Sequence, residues 1–242
     1  MKCIFFLSGD YLNLAKGEVI SLFGANTFYL IDRLFIVDLK NNSKFGKISK
    51  RMALIKSVYK LLFECKVDEL IDSMKDYNWN SIYEDNFCLR IHYFNNDNKK
   101  SNKKLKKIKL SNASEQITCS QLTEKNLAGY IWSSVKNPKV DLKNPKTRIE
   151  LFIIGDNAFC GLLIFENIQN FESRKPHLRP FSHPSSLHPK LARAFVNISG
   201  IKESETLLDP LCGTGGFLIE AGLMGVNVVG YDISKNMVNG CI

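Results

Sequence analysis

The chain has 242 residues, 45% of them hydrophobic, which suits one large domain or two to three small ones with real cores. No apolar run approaches the roughly 18 residues of a membrane helix, and the opening MKCIFFLSGD is too brief for a secretory leader, so a membrane role is not expected. The seven cysteines are scattered and form no C-x-x-C, against a disulfide framework or zinc site and in keeping with a reducing cytoplasmic setting, while the formal net charge of +9 favours polyanionic partners, nucleic acid first.

In chain order, residues 2–8 are strand-like, and Leu12, Ala15, Val19, Leu22 and Phe23 mark a helical stripe over 11–23. Phe28 to Val37 is β-rich and broken at Asp32-Arg33 like a tight hairpin, and Asn41-Asn42-Ser43 is a turn cluster. Helical patterns are expected over 50–62 and 67–76, giving a small α+β unit across the first 60 residues. Residues 87–94 alternate as a half-buried strand, with Phe87, Leu89, Ile91 and Tyr93 on one face and Cys88, Arg90 and His92 on the other. His92 is expected to satisfy a neighbour on this strand rather than bind a metal. The lysines at 99, 100, 103, 104, 106, 107 and 109 form either a phosphate-contacting patch or a solvated loop.

A helix is expected over 120–135, capped by Ser120 and with Leu127, Ala128, Ile131 and Val135 on one face. Strands at 149–154 and 158–165 follow, joined by Gly155-Asp156-Asn157; Asn137-Pro138 and Asn144-Pro145 are turn formers. Residues 172–190 hold four prolines and three histidines and read as a semi-rigid linker. His183 and His188 straddle prolines rather than share a helix face, so no metal site is expected there.

From about 187 the pattern turns to α/β alternation: a helix at 187–199, a strand at 205–209, then DPLCGTGGFLIEAGLMG at 209–225, a second strand at 226–231 ending at Asp232, and a helix from about Ser234. An apolar strand ending in an acid, a glycine turn and a helix form a cofactor cradle at the carboxyl ends of parallel strands. Gly213, Gly215 and Gly216 remove side chains so that backbone can turn sharply and approach a ligand, and the helix start adds unpaired N–H donors. Asp232 stands where a carboxylate can accept from both hydroxyls of a ribose. NAD and S-adenosylmethionine (SAM) both carry that ribose. The dinucleotide fingerprint G-x-G-x-x-G is not reproduced, since Phe217, Leu218 and Ile219 follow Gly216. Asp209 would repel a pyrophosphate but suits the sulfonium and ammonium of SAM, which is therefore preferred over a nicotinamide cofactor.

DPLCGTGGFLIEAGLMG with VVGYDISKNMVNG resembles motifs I and II of the THUMP-domain tRNA methyltransferases, nearest to the archaeal tRNA guanosine-10 N2-methyltransferases. RPFSHPSSLHPKLARAFVNISG is similar to the segment before motif I, VDLKNPKTRIELFIIGDNAFCGL to the end of a THUMP domain, and FLSGDYLNLAKGEV to the family's N-terminal start. The resemblance implies an α/β and α+β multidomain chain: a ferredoxin-like domain at 1–60, a THUMP RNA-binding domain at 61–166, a linker at 167–187 and the start of a Rossmann-like methyltransferase domain at 188–242. It implies SAM as cofactor, held by Asp209, Cys212, Gly213, Thr214, Gly215, Gly216 and Asp232. The segment His183 to Leu187 would lie near the methionine end of the cofactor, and tRNA would be held by the THUMP module with Arg174, Lys175 and Arg179 on phosphates.

The family's catalytic D/N-P-P-Y/F motif does not occur in the sequence: Asp209-Pro210 continues as Leu-Cys, and both Asn-Pro pairs continue as Lys. No catalytic residue is therefore assigned. Only the first two strands of the methyltransferase sheet are expected, and such a fragment exposes apolar faces and edges. The chain is thus expected to be a fragment or one half of a split enzyme completed by a second polypeptide, inactive by itself. The competing reading is a non-catalytic tRNA-binding protein with a degenerate methyltransferase stub.

Overall fold

The computed structural model describes residues 1–25, 27–39, 45–94 and 122–241. The Asn41-Asn42-Ser43 cluster, the lysine run from Lys99 to Lys109 and the Ser120 cap lie outside the described residues. The chain divides into two units, Met1–Val58 with Phe165–Ile242, and Tyr59–Ile164.

The first unit opens with β1 (Lys2–Leu7), α1 (Leu12–Phe23), β2 (Phe28–Ile31), β3 (Leu34–Asp38) and the short α2 (Phe45–Ser49), and contains the start of β4 (Ile55–Lys66). Strand order is β2-β3-β1-β4, with β3 antiparallel to both β1 and β2. This is the β-α-β-β-α-β arrangement of a ferredoxin-like domain. The hairpin turns at Asp32, whose φ is 52°, and Gly24 ends α1 in the left-handed region with its N–H on the Ile20 carbonyl. Phe5, Leu7, Ala15, Val19, Phe35 and Val37 form the core between sheet and helix.

The helix expected over 50–62 is instead the start of β4. Leu54, Val58 and Leu62 recur every four residues and imitate a helical stripe. The β-branched and aromatic Ile55, Val58, Tyr59 and Phe63 favour a strand. Ser57, Val58 and Tyr59 are buried in succession, so both faces of the strand are covered there and the usual alternation is lost.

In the second unit, α3 (Leu70–Asp76), β5 (Phe87–Phe94), α4 (Glu124–Ser134), β6 (Thr147–Ile154) and β7 (Asn157–Glu166) follow in order. β5 and β6 are parallel and β6 and β7 antiparallel. The chain between the parallel strands includes α4, as a crossover requires. Thr123, three residues beyond the expected cap, accepts the Asn126 N–H at 3.2 Å and starts α4. Trp79, Phe87, Leu89, Leu127, Ile131, Ile149, Leu151 and Ala158 pack as one core, and the Trp79 indole donates to the Met74 carbonyl at 2.7 Å. On the other face of β6, buried Glu150 accepts from Tyr59 at 2.7 Å and Arg148 at 2.7 Å and meets His92 Nε2 at 2.8 Å. His92 is thus a hydrogen-bonding partner on its strand.

The chain then returns to the first unit. Two short 3-10 turns at Glu172–Arg174 and Pro176–Leu178 stiffen the linker before α5 (Pro189–Ile198). β8 (Thr206–Asp209), α6 (Gly216–Gly222), β9 (Asn227–Gly230) and α7 (Lys235–Cys241) complete the chain order. β8 and β9 pair in parallel, Asp209 opposite Gly230. Among the described residues no helix is long and apolar enough to cross a membrane.

Candidate cofactor-binding site

β8 carries Asp209 to its carboxyl end, and the Asp209 carbonyl accepts the Tyr231 N–H at 2.9 Å. The chain then turns through residues 210–215. Gly213 and Gly215 have φ of 52° and 70°, which a side chain would strain. Beyond α6, β9 returns parallel to β8 and delivers Asp232 beside the turn. Asp232 Oδ2 accepts the Gly213 N–H at 2.8 Å and Oδ1 the Ser234 N–H at 2.9 Å. One carboxylate therefore ties the glycine turn to the start of the segment leading into α7.

The two acids differ in how they are satisfied. Asp209 Oδ1 accepts from the Leu211 N–H at 3.1 Å, but Oδ2 is buried without a hydrogen-bond partner. Both carboxylates act on Cys212 between them: burial first, then Cys241, Asp209 and Asp232, push its thiol up. A buried, unanswered carboxylate oxygen next to an open glycine turn fits a cationic ligand group. A pyrophosphate would meet two like charges. A Cβ on Gly213 or Gly216 would touch nothing within 4 Å, so there is open space over the turn. Helix α6 has only seven residues; the cradle is the turn and its two acids rather than a helix dipole.

Each sequence-assigned residue can be placed. Asp209, Gly213 and Asp232 come together as described. Thr214 Oγ1 shares a 2.8 Å hydrogen bond with Ser186 Oγ, which brings the linker onto the turn. Gly215 caps α6 and Gly216 begins it. The Cys212 side chain is buried beneath the turn, and its N–H donates to the Tyr231 carbonyl at 2.8 Å. His183 Nδ1 meets Ser185 Oγ at 2.7 Å, while His188 caps α5 by accepting the Lys190 N–H at 3.2 Å.

Sequence reasoning passed over three residues. Glu220 on α6 is fully buried and sits between two arginines: Arg174 Nε at 3.0 Å and Nη2 at 3.2 Å from the linker, and Arg193 Nη2 at 2.8 Å from α5. An acid inside the apolar run FLIEAGLMG was the available signal. Arg174 thus spends Nε and Nη2 on a buried carboxylate that demands counter-charge; Lys175 pairs with Glu172, and Arg179 Nε donates to the Arg174 carbonyl at 3.2 Å while its Nη1 and Nη2 have no hydrogen-bond partner among the described residues. Gly230 is the third: a Cβ there would stand 2.4 Å from Leu218 Cδ1 and 3.1 Å from Cys212 Cβ, so its bareness lets α6 lie close on β9.

A second polar joint holds α5. Buried Glu18 on α1 accepts from Ala53 N and Leu54 N at 2.8 Å each and from Asn197 Nδ2 at 2.7 Å. Asn197 also donates to the Arg51 carbonyl at 2.9 Å, accepts from Arg51 Nε at 3.3 Å, and its own carbonyl accepts from Ser21 Oγ at 2.7 Å.

Known proteins carry the same parts in the same order. Residues 64–162 match the THUMP domain and residues 176–239 the RMKL-like methyltransferase domain. A tRNA (guanine(10)-N2)-dimethyltransferase of Methanocaldococcus jannaschii is 31% identical over 245 residues, covering 98% of this chain and 69% of that protein. The chain belongs to the tRNA (guanine(10)-N2)-dimethyltransferase family. Another member, from Methanothermobacter thermautotrophicus, is 35% identical over 197 residues, 80% of this chain and 52% of that protein. The chain thus spans from about half to about two thirds of the length of these curated relatives. The crystal structure of TrmN from Thermus thermophilus shares the fold, with a TM-score of 0.58 at 16% identity over 100% of this chain and 68% of that one.

Proposed function

We propose that this chain is the cofactor-binding and RNA-binding portion of a cytoplasmic, SAM-dependent tRNA methyltransferase acting on the exocyclic N2 of a guanosine. One observation carries the reading: Asp232 is fastened to the glycine turn at Gly213 while Asp209 Oδ2 lies buried and unanswered beside it. When bound, SAM supplies a methyl group activated by its sulfonium. Asp232 is suited to the ribose hydroxyls, with Asp209 near the cationic end and Ser186–Thr214 fixing the linker beside it. Residues 61–166 hold tRNA, aided by the net positive charge of the chain. Residues that clamp the target base belong to a D/N-P-P-Y/F motif, which the 242 residues do not contain. A second polypeptide supplying that motif would complete the site.

Calorimetry of the chain with SAM, S-adenosylhomocysteine and NAD tests the cofactor, and a radiolabelled methyl-transfer assay on unmodified tRNA tests the division of labour. The expected result is saturable binding of the two adenosyl ligands, none of NAD, and no transfer by the chain alone. Asp232→Ala should remove the binding. Tight tRNA binding with no adenosyl binding would favour a non-catalytic tRNA-binding protein instead. Turnover by the chain alone would refute the need for a partner.

A further inference from the structure

Arg179 carries a charge that its surroundings leave unanswered. Its Nε donates to the Arg174 carbonyl at 3.2 Å, while Nη1 and Nη2 are buried and have no hydrogen-bond partner among the described residues. The acids along this linker are already taken: Glu220 by Arg174 and Arg193, and Glu172 by Lys175 and His188. A guanidinium keeps its charge inside a protein, so one turned away from water calls for an anion.

The linker that holds Arg179 is pinned at three points around the glycine turn. Arg174 grips Glu220 on α6, the helix that the turn opens into. Phe181 lies on α7, where a Cβ on Gly240 would stand 2.2 Å from its Cδ1, and the next residue of α7, Cys241, donates to the Gly213 carbonyl at 3.2 Å. Ser186 bonds to Thr214 in the turn itself. Arg179 sits between the first two of these points.

We propose that Arg179 receives the α-carboxylate at the methionine end of SAM, an inference that rests on the cofactor reading above. The two acids of the turn suit the sulfonium, the ammonium and the ribose, and both would repel a carboxylate. That one anionic group of the cofactor needs a cation from outside the β-α-β stretch. A guanidinium fork matches a carboxylate with two parallel hydrogen bonds. Nη1 and Nη2 have no bond to give up in making them, and the arginine side chain turns about its own single bonds to reach a ligand. The concealment of both atoms favours a small ligand seated at the turn over the phosphates of an RNA backbone.

The test compares SAM with decarboxylated SAM, which lacks this carboxylate alone, by calorimetry on the full chain. The wild type should hold SAM at least about tenfold more tightly. Arg179→Gln should lower SAM affinity by a similar factor and leave decarboxylated SAM unchanged, and Arg179→Lys should keep part of the preference. Equal affinities in the wild type overturn the proposal. So does an equal loss of both ligands in the two variants, which marks a structural role, or a loss of tRNA binding in Arg179→Gln with SAM affinity kept, which marks a phosphate contact. A wild-type chain that binds neither ligand overturns the cofactor reading and this inference together.

Discussion

The sheet of β5, β6 and β7 and the pair β8–β9 are both made of apolar strands, yet they are secured by different physics. In the former, Trp79, Phe87, Leu89, Ile149 and Leu151 are buried against residues of α3 and α4. In the latter the apolar cluster has three buried residues, Val196, Ala221 and Val226, while Leu208, Tyr231 and Ile233 are 59%, 63% and 97% exposed. What fixes α6 against α5 and the linker is Glu220 between Arg174 and Arg193. Apolar burial is strong and non-directional. An ionic bracket is directional, but it fails when one member is lost.

The largest expected effect is in the apolar unit. Trp79→Ala should lower stability by about 3–5 kcal/mol in urea unfolding, with hydrogen exchange rising in α3, β5 and β6. Faster exchange confined to α5 and α6 would break the contrast. Next comes Glu220→Gln, which strands two guanidinium groups and should cost about 3 kcal/mol, near the low end for a broken buried pair because Arg174 is partly exposed. Exchange should accelerate in α5, α6 and the linker, and β6 should be untouched; unchanged exchange there would show that the bracket holds nothing.

The smallest effect sharpens the comparison through pH. Burial lifts Glu18 above its ordinary 4.5, over opposing hydrogen bonds from Leu54, Asn197 and Ala53 and the charge of Arg193. Native Glu18 holds its proton more tightly than the unfolded chain does, so its contribution is full below 4.5 and is lost as pH rises through the lifted value. Burial also pushes Glu150 up, but hydrogen bonds from His92 and Tyr59 and the charges of His92 and Arg148 override it and leave it below 4.5. Its contribution is present above 4.5 and is lost as pH falls through the lowered value. On acidification, exchange in α1 should slow as that in β6 begins, below 4.5, to quicken. Glu18→Gln and Glu150→Gln should each abolish one of these trends, and trends of the same sign in both elements would contradict the assignment.

Much of the glycine turn was legible because its chemistry is local. The strand ending at Asp209, the glycines at 213 and 215 and the acid at 232 follow one another within a single β-α-β stretch, and each is a residue type with few other reasons to be there. The hairpin at Asp32 and the strand at 87–94 were legible for the same reason. β4 was misread because a strand covered on both faces loses its alternation, and Leu54, Val58 and Leu62 then imitate a helix. Partners of Glu220, Glu18 and Asn197 lie 27 to 179 positions away, and periodicity carries no information about pairings that only the fold creates. Gly230 belongs with these: its lack of a side chain is explained by Leu218 on the neighbouring helix.

Asn197 answers two separate stretches from the beginning of the chain: on α1 the Glu18 carboxylate and the Ser21 hydroxyl, and beyond it both ends of Arg51. During synthesis those stretches emerge well before α5, with the whole of residues 59–164 made in between. The opening segment must therefore wait, its Glu18 carboxylate lacking the Asn197 donor, until the ribosome has delivered the helix that closes the joint.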